Sequence, residues 1–109
     1  MKSERRINPR IPFRTHTVIN SNFGEPMDGG TVDVSRGGAL LDSPAHLGVG
    51  HDITLNFETG YQPLQGVRAR IKRSHPVFWS RRHLVAVEFT EPMDDLVQMA
   101  EVESGRGSY

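Results

Sequence analysis

Two groups of side chains in this sequence have the types and spacing to hold an anion. In "RRINPR", Arg6 and Arg10 stand four residues apart with Arg5 adjacent. Guanidinium groups offer planar forks of donors that fit phosphate oxygens and the O6/N7 edge of guanine, and their flat faces stack on bases. In "TVDVSRGGALL", the Asp33 carboxylate can accept paired N–H donors such as those on the N1 and N2 edge of guanine. The Ser35 hydroxyl can donate to a phosphate oxygen. Gly37 and Gly38 permit positive φ and leave backbone N–H groups open to an anion. Asp, Ser and Gly are also the commonest turn formers, so the second stretch serves equally to reverse the chain.

Something must carry both groups. Pro9 forbids a helix through the arginine pair and biases Asn8 toward extended geometry, which places the arginines on a stretched arm over residues 1–14. Downstream, period-2 alternation predicts strands. Ile53, Leu55 and Phe57 alternate with polar residues, as do Val67, Ala69 and Ile71 with Arg68, Arg70 and Lys72. Val85, Val87 and Phe89 share one face of a further strand, with Leu84 and Ala86 on the other, a pattern that predicts a central strand covered on both faces. Shorter candidates at 15–20, 31–34 and 38–42 bring the total to about six. With no crossover helices between them, six short antiparallel strands over residues 15–90 predict a small closed barrel. Met93, Leu96, Val97 and Ala100 line one helical face over 91–102, with Pro92 and the acids Glu91, Asp94 and Asp95 suited to its start. Residues 103–109 read as a flexible tail.

At 109 residues the chain has room for a single domain. It has no apolar run long enough to span a bilayer and no apolar stretch after its basic start, so the expected place is the cytoplasm, with no membrane partner. Zero cysteines remove disulfides, thiolate metal sites and a cysteine nucleophile. The net charge of zero conceals a segregation: residues 59–87 hold six Lys or Arg and no acid, whereas 88–103 hold six acids and no Lys or Arg. Such a split sets up a local positive field for an anionic partner.

Other chemistries find less support. His46 and His51 match no metal-ligand spacing, so no metal is expected. There is no Gly-x-Ser-x-Gly elbow and no spacing that fixes a base beside a nucleophile, so no enzyme is expected. "RSHPVFWSRRH" mixes bases with Phe78 and Trp79, as single-stranded nucleic-acid binders do. The simpler expectation places residues 76–80 in a hairpin loop with Trp79 packed on the barrel or bordering a ligand.

Taken together, "RINPR" followed by "DVSRGG" resembles the two-part Arg-x-x-x-Arg and Asp-x-Ser-x-x-Gly signature of PilZ domains, bacterial receptors for cyclic di-GMP. The likeness extends to the apolar "VAVEF" strand before the helix and covers about residues 4–102, although Ala86 stands where many members have glycine. The resemblance implies a mainly β fold, a six-stranded antiparallel PilZ-type barrel with a C-terminal helix. It implies that Arg6 and Arg10 grip phosphates and guanine edges, that Asp33 and Ser35 surround one guanine, and that Gly38 shapes the turn. Arg5 would hold a second ligand molecule stacked on the first. It further implies a binding switch acting on an unidentified downstream protein, with no nucleic acid expected; the lack of an obvious apolar surface stripe makes a monomer the expected state. A PilZ-type adaptor without the nucleotide and a nucleic-acid-binding barrel are the alternatives.

Overall fold

The computed structural model describes residues 9–22 and 24–105. Along the chain come β1 (Ile11–Pro12), β2 (His16–Ser21), β3 (Met27–Val34), β4 (Gly38–Ser43), β5 (Asp52–Glu58), β6 (Leu64–Pro76), β7 (His83–Phe89) and α1 (Asp94–Glu103). The sheet runs β1-β3-β2-β5-β6-β7-β4, and a further β3–β4 pairing closes strands β2 to β7 into a six-stranded antiparallel barrel. Closure leaves no long unpaired edge, the arrangement expected of short strands without crossover helices.

The alternation read from the sequence is realised where it is cleanest. Ile53, Leu55 and Phe57 of β5, Val67, Ala69 and Ile71 of β6, and Val85, Val87 and Phe89 of β7 all point into one core. Phe57 and Phe89 meet edge to face with ring centroids 6.2 Å apart, the geometry favoured by the aromatic quadrupole. The outer face of β7 is only partly covered, short of the expectation: Ala86 is buried but Leu84 is open to solvent.

Two strands are longer than their patterns suggest. β3 begins at Met27 because Gly29 and Gly30, which read as breakers, belong inside the strand. A Cβ on Gly29 would stand 2.4 Å from the Asp42 carbonyl oxygen, so only glycine lets β3 lie this close to β4. β6 reaches Pro76 because its pairing with β7 continues to Pro76–His83, at the end of the hairpin where proline's missing N–H is tolerated.

β1 and β2 lie in line along the same side of β3, pairing Ile11 with Val34 and His16 with Gly30. Thr31 stitches the break between them: its hydroxyl accepts from Thr15 N–H at 2.9 Å and donates to the Phe13 carbonyl. Ile11 and Phe13 are both buried in the core, so this part of the N-terminal segment is packed against the barrel. α1 covers the adjoining end, contacting β1 and β3, and buries Leu96, Met99 and Ala100. Met99 was absent from the face read off the sequence. Pro92 lies just before the helix rather than in its first turn, and Met93 N–H donates to the Arg36 carbonyl at 2.9 Å instead. Gly105, at φ +84°, ends the helix in the left-handed conformation that glycine adopts without strain.

On the surface, His16 bridges three strands. Its Nδ1 lies 2.8 Å from Glu58 Oε1 and its Nε2 2.9 Å from Asp28 Oδ1. Only the imidazolium donates from both nitrogens, so the bonds to Glu58 and then Asp28 raise its pKa above the ordinary 6.5. A raised folded-state pKa contributes stability that is complete below the unfolded value and lost as pH rises through the folded one. The melting temperature is therefore expected to fall modestly between pH 6 and pH 8 relative to His16→Gln, in which that slope should vanish. Parallel slopes in both proteins would show the bridge to be without effect.

Candidate functional site

The two motifs meet because β1 pairs with the end of β3. Ile11 lies opposite Val34 and Pro12 opposite Asp33, so Arg10 arrives beside Ser35 and its Nε lies 3.8 Å from Asp33 Oδ1. Arg5 and Arg6 lie outside the described residues.

Asp33 faces outward because of a bulge. Between β3 and β4 the register passes from Thr31–Leu41 to Asp33–Leu40, leaving Val32 as an extra residue on β3. Strict alternation from the buried Thr31 would aim Asp33 into the core. The bulge shifts the phase, so Val34 is buried instead and Asp33 emerges on the outer surface beside Leu40. Leu40 is paired in turn with Ala86 of β7, so an apolar strip adjoins the carboxylate. Asp33 Oδ1 is itself buried and has no hydrogen-bond partner among the described residues. A buried acceptor left unmade costs about 1–3 kcal/mol, which a donor reaching this oxygen would recover.

The turn after Asp33 is fixed by its own side chain. Ser35 N–H donates to the Gly38 carbonyl at 2.8 Å, and Gly38 N–H donates to Ser35 Oγ at 3.2 Å. The Ser35 hydroxyl also lies 3.2 Å from the Gly38 carbonyl, so in this state it is occupied within the turn. The glycines are not needed for positive φ. Among the described glycines that conformation occurs at Gly50, Gly66 and Gly105, not at Gly37 or Gly38. Gly38 is required instead by proximity, since a Cβ there would stand 2.3 Å from the carbonyl oxygen of Val87.

Arg36, which the sequence reading passed over, ties the turn to the helix. Its Nε donates to Asp94 Oδ1 at 2.7 Å, its carbonyl accepts from Met93 N–H, and the Gly37 carbonyl accepts from Phe89 N–H at 2.8 Å. The signal available in the sequence was the acidic first turn of α1, which predicts a basic partner without naming it. Thus one turn touches the arginine arm on one side and the start of α1 on the other.

His46 Nδ1 lies 3.0 Å from Ser74 Oγ, and its ring stands 5.8 Å from that of His83. Among the described residues no group of three His, Cys, Asp or Glu is placed to hold a metal ion. No helix of the described residues is long and apolar enough to cross a membrane. Trp79 does not pack on the barrel: it is 85% exposed and Phe78 95%.

Comparison with known proteins gives a consistent result. The family model of the PilZ domain matches residues 4–101. No curated protein is similar enough in sequence to match. Among solved structures, the inhibitor of motility MotI/DgrA of Bacillus subtilis is 16% identical with a TM-score of 0.72, over 95% of this chain and 51% of that one. The PilZ domain of YcgR from Escherichia coli, solved with c-di-GMP, is 12% identical with a TM-score of 0.66, over 90% of this chain and 87% of that one. MrkH of K. pneumoniae in complex with c-di-GMP is 18% identical with a TM-score of 0.67, over 95% of this chain and 56% of that one. At these identities the likeness is one of fold, and this chain spans about half the length of MotI/DgrA and of MrkH.

Proposed function

The chain belongs to the PilZ domain family, and from that premise we propose that it is a receptor for cyclic di-GMP, binding through Arg6, Arg10, Asp33, Ser35 and Gly38. One observation carries the reading: the β1–β3 register sets the Arg10 guanidinium beside a carboxylate whose buried Oδ1 has no hydrogen-bond partner among the described residues. Asp33 accepts from the N1–H and N2–H edge of one guanine, and the strip at Leu40 and Ala86 gives the base an apolar surface to lie against. Arg10 and Arg6 supply forked donors to phosphate oxygens and to the O6/N7 edge. Arg5 holds a second ligand stacked on the first. Ser35 exchanges its bond within the turn for one to the ligand. The two solved relatives that contain c-di-GMP support the ligand class.

The output is a change of surface rather than a reaction. Arm and ligand close over the 33–38 turn, and because Arg36 bonds to the start of α1, closure reaches the helix that a downstream protein would contact. The chain so works as a monomeric cytoplasmic switch in control of motility, biofilm or exopolysaccharide. It is not an enzyme.

Calorimetric titration with cyclic di-GMP, followed in parallel by amide chemical shifts, tests this. Two ligands per chain at saturation are expected, with shifts confined chiefly to residues 5–10, 33–38 and 89–96. A stoichiometry of one would remove the role of Arg5. No heat and no shifts at 5–10 and 33–38 would leave the nucleotide-free adaptor.

A further inference from the structure

The hairpin between β6 and β7 carries two large apolar side chains where a turn ordinarily has none. Ser80 N–H donates to the Val77 carbonyl at 3.1 Å, which closes a four-residue turn with Phe78 and Trp79 at its two central positions. Those positions project farthest from a barrel and usually hold Gly, Pro, Asn, Asp or Ser. Here they hold side chains 95% and 85% exposed. The turn is nevertheless built firmly. Val77 N–H donates to the Arg82 carbonyl at 3.0 Å, Arg82 N–H donates to Ser80 Oγ at 2.9 Å, and Arg82 Nε donates to Asp42 Oδ1 at 2.7 Å. The aromatic pair is therefore presented by an anchored hairpin.

The hairpin's own charges are of one sign. No acid occurs over residues 59–87. Arg82 is neutralised by Asp42, but Arg73 and Arg81 are exposed and have no carboxylate partner among the described residues. We infer that the β6–β7 hairpin tip docks on an anionic lipid bilayer, with Phe78 and Trp79 entering the headgroup region and Arg81 and Arg73 facing lipid phosphates.

Shape and charge favour that occupant. A convex tip without a concave rim needs a partner that deforms around it, and the headgroup layer does so. Aromatic rings, tryptophan above all, prefer that interface, and adjacent cations add attraction to anionic leaflets. Strand faces and grooves suit successive stacked bases better than two neighbouring residues crowning a turn. The inference departs from the expectation of no membrane partner, which rested on the lack of a spanning segment. Docking would leave the proposed nucleotide site free. Gly38 pairs with Glu88 at one end of β4 and Ser43 with His83 at the other, five residues or about 17 Å of strand away.

Trp79 is the only tryptophan in the chain, so it reports directly. The full chain is titrated with vesicles of phosphatidylcholine containing roughly one-third phosphatidylglycerol, reading tryptophan emission and co-sedimentation. Expected are a blue shift, co-sedimentation, and binding at least about tenfold weaker to pure phosphatidylcholine or in high salt. Phe78→Ser, which keeps the reporter, should weaken binding about tenfold, and Arg81→Glu about fivefold or more. Both should retain the wild-type melting temperature, since neither side chain packs on the barrel. Absence of any shift or co-sedimentation at millimolar lipid overturns the inference. So does equal binding to neutral vesicles, or a response to single-stranded oligonucleotides without one to vesicles.

Discussion

Gly38→Ala lowers the melting temperature by roughly 10–20 °C, a large stability effect for a one-carbon change. The added Cβ would lie 2.3 Å from the Val87 carbonyl oxygen and 3.5 Å from Glu88 Cα. Both neighbours are backbone, so no side chain can rotate away. Relief requires β4 to separate from β7 at the Gly38–Glu88 pair, or the 35–38 turn to open. Insertions into packed regions typically cost about 1–3 kcal/mol, and a backbone neighbour puts this one at the upper end. Thermal unfolding followed by circular dichroism measures it. A loss under about 3 °C would mean that the strands part without penalty and that the contact does not explain the glycine. Because the same turn bonds to the start of α1, the variant should also loosen the helix, visible as faster amide exchange at Leu96 to Ala100.

Arg10→Ala weakens cyclic di-GMP binding ten- to a hundredfold, the loss of charge-assisted bonds worth about 1.5–3 kcal/mol. The fold should tolerate it. The Arg10 side chain is 36% exposed, and its separation of 3.8 Å from Asp33 makes that ion pair worth about 1 kcal/mol or less. Arg10→Lys should recover only part of the affinity, since an ammonium keeps the charge but not the fork. Asp33→Ala provides the contrast. It removes a buried oxygen that has no hydrogen-bond partner among the described residues, so stability should hold or rise while ligand affinity falls. Opposite signs for stability and binding are the mark of an acceptor kept open for a ligand. Calorimetry on the three variants beside their melting curves reads both quantities. Binding by Arg10→Ala within threefold of wild type would remove Arg10 from the site.

How legible the molecule was depended on the range of the interaction concerned. Alternation in β5, β6 and β7 is a local property, and those strands could be read because one buried face imposes period 2 on neighbouring residues. The helix after Pro92 was readable for the same reason, although Met99 was missed because its burial comes from the Thr59 turn, whose hydroxyl lies 3.3 Å from Met99 Sδ. The extent of β3 was not readable, because "MDGG" carries breaker residues whose place in the strand is set by the Asp42 carbonyl on another strand.

The same division runs through the candidate site. By itself the sequence determined which residue types are available, a fork-bearing arm and an Asp-x-Ser-x-x-Gly turn, along with the barrel-forming pattern that must hold them and the segregation of charge between 59–87 and 88–103. Only the tertiary structure decided which way these groups face. The bulge at Val32 turns Asp33 out of the core, the β1–β3 register brings Arg10 to it, and the Val87 carbonyl, not a backbone dihedral, excludes any side chain at position 38. It also left Phe78 and Trp79 uncovered, where composition suggested packing for Trp79. Each of these is set by partners far along the chain, and a local pattern records what a residue prefers without recording what arrives opposite it.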